Sequence, residues 1–236
     1  MKKQSGFTLI ELAIVLVIIG LLLGGVLKGQ ELITQGKIKN VIADFNGITA
    51  AYYGYQDRYK AIPGDDPNSG TRWSLTALTG TGHGNGDGQL DSATPGTYNQ
   101  NIAAPTATDG TQETSLFWRD LRLSGFVGGT GGSNPNNAVA GLVGVQQGND
   151  LLKSTAAATA GTGFTGLIIC SSNIPDKIAV AIDTTLDDGN PQTGSVRAVV
   201  QLAPNPTMVV GGFGDKAEAL PYSETGGKQY LVCKSL

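Results

Sequence analysis

The sequence predicts an α+β protein, with one long N-terminal α-helix followed by a globular head built on an antiparallel β-sheet with short helices inserted. Three observations carry this expectation. An apolar run from Phe7 to Leu27 passes without a break into a segment whose apolar residues recur every three or four positions. The last third of the chain contains several short β-branched segments that alternate in polarity. Between these, the chain runs through glycine-rich connections, and most of its 35 glycines lie in the middle and C-terminal parts.

The apolar run comes first. From Phe7 to Leu27 every residue except Thr8 and Glu11 is apolar or glycine, and as a helix it reaches roughly 31 Å, enough to cross a bilayer. Lys2 and Lys3 precede it and place the N-terminus on the cytoplasmic side. No A-x-A pattern follows the run, so it reads as an anchor and not as a conventional secretory signal. Gly20 with Gly24 and Gly25 with Gly29 have the G-x-x-x-G spacing that lets membrane helices approach closely. No proline interrupts this half, so any kink would have to arise at the glycines.

After Lys28 the pattern turns amphipathic. Ile38, Val41, Ile42, Phe45, Ile48, Tyr52, Tyr55 and Tyr59 form one face, Lys37, Lys39, Asn40, Asn46, Thr49 and Asp57 the other, and Ile62-Pro63-Gly64 stops the run. In the head, residues 114–126 read as a short helix with Thr114 or Ser115 as its cap and Gly125 as its stop. Residues 174–189 read as a second helix, with Ile178, Ile182 and Leu186 at spacing four. Strands are expected over 166–170, 195–202, 207–213 and 228–235. The stretches 128–137 and 154–163 read as loops.

Composition limits the function classes. The chain of 236 residues carries a net charge of −3, and it becomes more acidic if Lys2 and Lys3 are removed, so no nucleic-acid partner is expected. His83 is the only histidine and lies in a glycine-rich loop without a nucleophile elbow, so no catalytic residues are assigned and no enzyme is expected. Cys170 and Cys233 are 63 residues apart in no metal-like spacing; outside the cytoplasm they would form one disulfide, inside it two buried thiols.

The N-terminal string KKQSGFTLIELAIVLVIIGLLLG resembles the start of type IV pilins and type II secretion pseudopilins. A short basic leader, Gly-Phe, Thr-Leu-Ile-Glu and an apolar run follow one another in the order that this family shows. The resemblance implies cleavage after Gly6 by prepilin peptidase, N-methylation of Phe7, and a role for Glu11 in assembly, where it would pair with the new amine of a neighbouring subunit. A lone carboxylate costs several kcal/mol in a membrane, and such a pairing offsets that cost while it selects register.

The resemblance also implies a pilin-like organisation: leader 1–6, transmembrane half-helix 7–27, amphipathic half-helix 28–62 and a periplasmic or extracellular head 63–236. The expected partners are prepilin peptidase, other pilin or pseudopilin subunits and the inner-membrane assembly platform. The expected location is the bacterial inner membrane and then a filament, and the size of the head favours a minor or tip subunit. Export of the head would favour the disulfide over free thiols. A membrane-anchored adhesin or binding protein is the alternative reading.

Two acidic segments stand out in the head. HGNGDGQLD (83–91) places Asn85, Asp87 and Asp91 around Gly88, a partial calcium-loop pattern with His83 at its first position and Thr94 where a bidentate glutamate belongs. Glu113, Asp65 or Asp66 would complete the shell from elsewhere, and calcium in the loops of some pseudopilins makes the ion a candidate cofactor by resemblance. Asp183, Asp187 and Asp188, with Asn190, fall at the expected end of the second short helix, where carboxylates oppose the helix dipole.

Overall fold

The computed structural model describes residues 8–77, 80–92, 97–148, 163–201, 203–206, 222–223 and 227–236. One helix, α1 (Leu9–Tyr59), runs for 51 residues through both the apolar and the amphipathic segments, a rod of about 75 Å. It ends just before Ile62-Pro63-Gly64, with Lys60 in the left-handed conformation donating its backbone N–H to the carbonyl of Gln56. Gly20, Gly24, Gly25 and Gly29 all lie within its helical length.

Two regimes divide α1. Residues 8–28 are exposed, including Leu9, Ile10, Leu16, Leu21 and Leu27, whereas Ile38, Val41, Phe45, Ile48, Tyr52 and Tyr55 are buried against the head. The periodicity in the second half is therefore a core-facing stripe, and the tyrosines in it are core residues.

The head adds a one-turn helix α2 (Ser69–Arg72), helix α3 (Glu113–Leu123), strands β1 (Val143–Gln147) and β2 (Leu167–Pro175), helix α4 (Asp176–Leu186), and strands β3 (Val196–Val200) and β4 (Gln229–Ser235). The four strands form one antiparallel sheet in the order β1-β2-β4-β3. Strand alternation gives the sheet two apolar faces. Val145, Ile169, Ala198, Tyr230 and Val232 meet α1 and the two longer head helices, α3 and α4, in the main core. Ile168, Cys170, Val199, Leu231 and Cys233 form a second cluster with Tyr98 and Phe164. An α+β head packed on a long helix is the fold that the sequence predicts.

Several elements differ from their expected bounds. Strand β1, with the sequence VGVQQ, was not expected, because a glycine and two glutamines dilute the β-branched signal. Helix α3 begins at Glu113, with Gln112 at the N-cap position and no side-chain capping bond, so neither Thr114 nor Ser115 is its cap. Strand β2 continues to Pro175, and α4 starts at the next residue. The expected strand at 207–213 and most of the loop at 154–163 lie outside the described residues.

Strands β2 and β4 place Cys170 directly opposite Cys233, and the two form a disulfide with a Cα–Cα distance of 4.0 Å. Both residues are fully buried.

A second junction joins the end of α1 to α3 through buried polar groups. The Tyr55 hydroxyl donates to Asp66 Oδ2 at 2.8 Å, and Arg72 forms an ion pair with the same carboxylate. Gly64 N–H donates to Asp120 Oδ2 at 3.2 Å, while Arg119 holds Asp120 Oδ1 through Nε at 3.0 Å and Nη2 at 2.7 Å. The same guanidinium donates to Ser69 Oγ at 3.0 Å and to the Gly82 carbonyl. Gly64 has φ 92°, and a Cβ there would stand 2.8 Å from Phe117 N, so the turn needs glycine for both conformation and space.

Candidate functional site

The N-terminal site starts at Thr8, the N-cap of α1, with φ −81° and ψ 151°. Its hydroxyl accepts from Glu11 N–H at 3.3 Å. In return, Glu11 Oε2 accepts from Thr8 N–H at 2.8 Å and from the Thr8 hydroxyl at 2.7 Å. This reciprocal pair is a capping box, and it satisfies N–H groups that an apolar environment would otherwise leave bare. Glu11 therefore has an intrachain partner before any assembly. The sequence carries this signal as Thr-x-x-Glu at positions 8–11, inside the same string that resembles the pilin N-terminus.

Beyond Glu11, the exposed helix is apolar until Lys28, which pairs with Glu31 at 2.7 Å. The apolar stretch reaches a mean hydropathy of 2.8 over eighteen residues, long and apolar enough to cross a membrane, and none of that stretch is buried in the protein. Residues 1–27 match the family model for the prokaryotic N-terminal methylation motif. The chain begins with the type IV pilin and pseudopilin signature. The motif spans the leader, Gly6, Phe7, Glu11 and the apolar half of α1, and it supports a prepilin-like structural subunit with a single-pass inner-membrane anchor. Gly6 and Phe7 themselves lie outside the described residues, immediately before the capping box. No curated protein matches the chain.

The acidic loop of the head is assembled from three segments. Oxygens of Asp65, Asp87 and Glu113 all lie within 4.8 Å of one another. Asp65 anchors the loop, accepting at Oδ1 from the backbone N–H of Gly86 at 2.6 Å and Asp87 at 3.1 Å, and at Oδ2 from Gly88 at 2.8 Å. Glu113 accepts from the backbone of Asn85 at 2.9 Å and of Asp91 at 3.0 Å. Of the expected set, Asp87 belongs to the carboxylate cluster, whereas Asn85 and Asp91 meet Glu113 through their backbone. Asp65 and Glu113, expected as completing groups, are its buried members.

Burial pushes the Glu113 carboxyl up to about 7, with its two backbone donors opposing that shift and the neighbouring charges of Asp65 and Asp87 adding to it. Asp65 is raised chiefly by burial. A carboxyl whose folded pKa is raised stabilises the fold below its ordinary unfolded value, and that stabilisation is lost as pH rises through about 7. In detergent and without divalent cations, the head should therefore melt at a higher temperature as pH is lowered from neutral towards 5. Glu113→Gln should flatten the part of this slope nearest neutrality; an unchanged slope would assign the effect to other acids.

The other acidic group, Asp183, Asp187 and Asp188 at the end of α4, has its oxygens within 4.8 Å of one another. Each acid meets a local donor. Asp183 accepts from Gly189 N–H and the Tyr222 hydroxyl, Asp187 from Val196 N–H, and Asp188 from Asn190 N–H and the Thr193 hydroxyl. These bonds tie the α4–β3 connection together.

Proposed function

We propose that the chain is a prepilin-like structural subunit that prepilin peptidase cuts after Gly6 and that is then methylated at Phe7. The inner-membrane assembly platform would insert it, as a minor subunit beside other pilin or pseudopilin subunits, into a type IV pilus or a type II secretion pseudopilus. The observation that carries this reading is the methylation motif on a helix that is bare over its apolar half and packed over its second half. Its apolar surface is covered first by the bilayer and then by the helices of other subunits, while the head lies outside the inner membrane.

Glu11 holds this sequence of events together. In the precursor it caps its own helix through Thr8. Cleavage before Phe7 creates an ammonium group one residue from that cap, and in a low-dielectric setting a carboxylate is its natural partner. The test is to follow processing and assembly in two variants. Gly6→Val should leave the leader attached, and Glu11→Ala should be cleaved yet fail to enter filaments. A wild-type chain that keeps Met1, or a Glu11→Ala chain that assembles at the wild-type level, would refute the proposal.

We assign calcium to the same head as its candidate cofactor, held by Asp65, Asp87 and Glu113. The donor set is all carboxylate oxygen, which suits a hard divalent cation. The ion would supply the positive charge that these crowded carboxylates lack. Calcium should raise the melting temperature of the head at pH 7.5 and chelator should lower it, while magnesium should not substitute. A melting curve indifferent to chelator would dispose of the assignment.

A further inference from the structure

Acids meet aromatic side chains at two places where the head packs on α1, and one of the two lacks a cation. At the first, in the turn after α1, Arg72 forms its ion pair with the buried Asp66. The same guanidinium lies over Tyr59 and Trp73, at 4.3 Å and 5.2 Å from the ring centroids. Acid, ring and guanidinium make one unit there.

At the second, Asp44 stands beside a groove of about 250 Å³ whose walls include Ile48, Trp118, Phe126 and Val143. Asp44 is half-buried and is the one charged residue among the described ones that line the groove. The positions within one turn of it on α1 are Asn40, Val41, Gly47 and Ile48, none of them charged. The ion pairs among the described residues leave Asp44 out. Arg122, 6.0 Å from the Trp118 ring, donates instead to the carbonyls of Gly128, Gly131 and Ser133. Burial therefore raises the Asp44 carboxyl with no cation opposing it.

The aromatic part of this second unit is already in place. Phe126 is 38% exposed, the one large apolar side chain beyond α1 that remains so among the described residues. Its ring is seated against α1 at Gly54, where a Cβ would stand 2.8 Å from Phe126 Cε1. The groove is smaller than the roughly 300–1,000 Å³ of sites that take whole small ligands, and it suits one long side chain. A Cβ at Gly47 would meet nothing within 4 Å, so another main chain has room to approach α1 here. A main chain also brings carbonyls, and the Trp118 indole N–H in the wall is a buried donor without an acceptor.

We propose that this groove is a docking site for an arginine presented by a partner polypeptide, with the guanidinium on Asp44 and flat against Phe126. The contact would repeat between chains the arrangement that Asp66, Arg72 and Tyr59 form within one. Arginine suits it better than lysine, because a planar guanidinium pairs with a carboxylate through two N–H groups while its face stacks on a ring. The charge of the head favours such a partner, since residues 63–236 carry fifteen Asp and Glu against nine Lys and Arg. The proposal does not depend on the assembly reading above.

Peptide titration of the full chain in detergent tests it, read by NMR at the Trp118 indole N–H and the Phe126 ring. Ac-Ala-Arg-Ala-NH2 should shift both signals saturably, and its citrulline counterpart, which keeps the shape and loses the charge, should bind about tenfold more weakly. The lysine counterpart should bind about threefold more weakly. Asp44→Asn should melt as the wild type does and lose the preference for arginine over citrulline. If that variant melts early, Phe126→Leu replaces it and should lose the preference for arginine over lysine. Equal binding of the arginine and citrulline peptides by the wild-type chain, or no shift at the groove, overturns the proposal. Lysine binding as well as arginine overturns the choice of a guanidinium, and ethylguanidine binding as tightly as the peptide overturns the choice of a polypeptide.

Discussion

Replacing Cys170 and Cys233 together with alanine lowers the stability of the head by about 4 kcal/mol. The disulfide closes a loop with a sequence separation of 63 residues, and opening it returns that loop's entropy to the unfolded chain. The replaced side chains are fully buried beside Tyr98, Phe164, Ile168, Val199 and Leu231, so lost packing adds to the entropic cost. Alanine is the appropriate substitute, because serine would bring an unpartnered hydroxyl into an apolar cluster. Urea unfolding of the full chain in detergent, oxidised protein against the double variant, measures the difference. A change below about 1 kcal/mol would mean that the two strands are held together by their ladder and core alone.

Arg119→Ala costs about 3 to 5 kcal/mol, the usual consequence of removing one partner from a buried ion pair. Arg119 and Asp120 are both completely buried, and the guanidinium also serves Ser69 and the carbonyl of Gly82. Without it, Asp120 keeps the donor at Gly64 and loses its countercharge. Burial already holds the Asp120 carboxyl up to about 6 with Arg119 opposing, so the variant's carboxyl rises further. The sign then follows: the variant regains stability as pH falls, because the protonated acid no longer needs a cation. Arg119→Met combined with Asp120→Leu should recover most of the loss, since it removes the stranded charge along with its partner. If the double variant is as unstable as Arg119→Ala, the hydrogen bonds of the guanidinium matter more than its charge.

The parts of the fold that were legible in the sequence share one property: each repeats a single periodicity over enough residues. α1 reads through because one apolar run meets one 3.6-residue stripe, and Ile38, Val41, Phe45, Ile48, Tyr52 and Tyr55 are all buried. Strands β3 and β4 announce themselves through Val196–Val200 and the alternation around Tyr230 and Val232. Strand β1 escaped because its residues Gly144, Gln146 and Gln147 carry no β signal, and its place is set by pairing with β2.

The candidate sites divide in the same way. Gly6, Phe7 and Glu11 fall within one short stretch of sequence and are therefore readable as a string, as is the Thr8 cap between them. The acidic loop is not a string. Asp87 lies within the glycine-rich segment, but Asp65 arrives from the turn after α1 and Glu113 from the first turn of α3. Local spacing pointed to Asn85 and Asp91, but what they bring to the site is backbone N–H groups that donate to Glu113 and hold its carboxylate, because a tight turn aims N–H groups inward as readily as side chains.

The sheet order fixes a timetable for biosynthesis. Among the described residues β4 is the last strand in sequence, yet it lies between β2 and β3, which are joined there only through it. Until residues 229–235 have left the ribosome, the sheet is missing its centre and Cys170 has no partner. By then α1 has long since emerged. In the processing and assembly proposed above, the anchor would be inserted and trimmed while the rest of the subunit is still a nascent, unpaired chain, and a polypeptide truncated before β4 would be a membrane-bound stub for proteolysis rather than a competitor for incorporation.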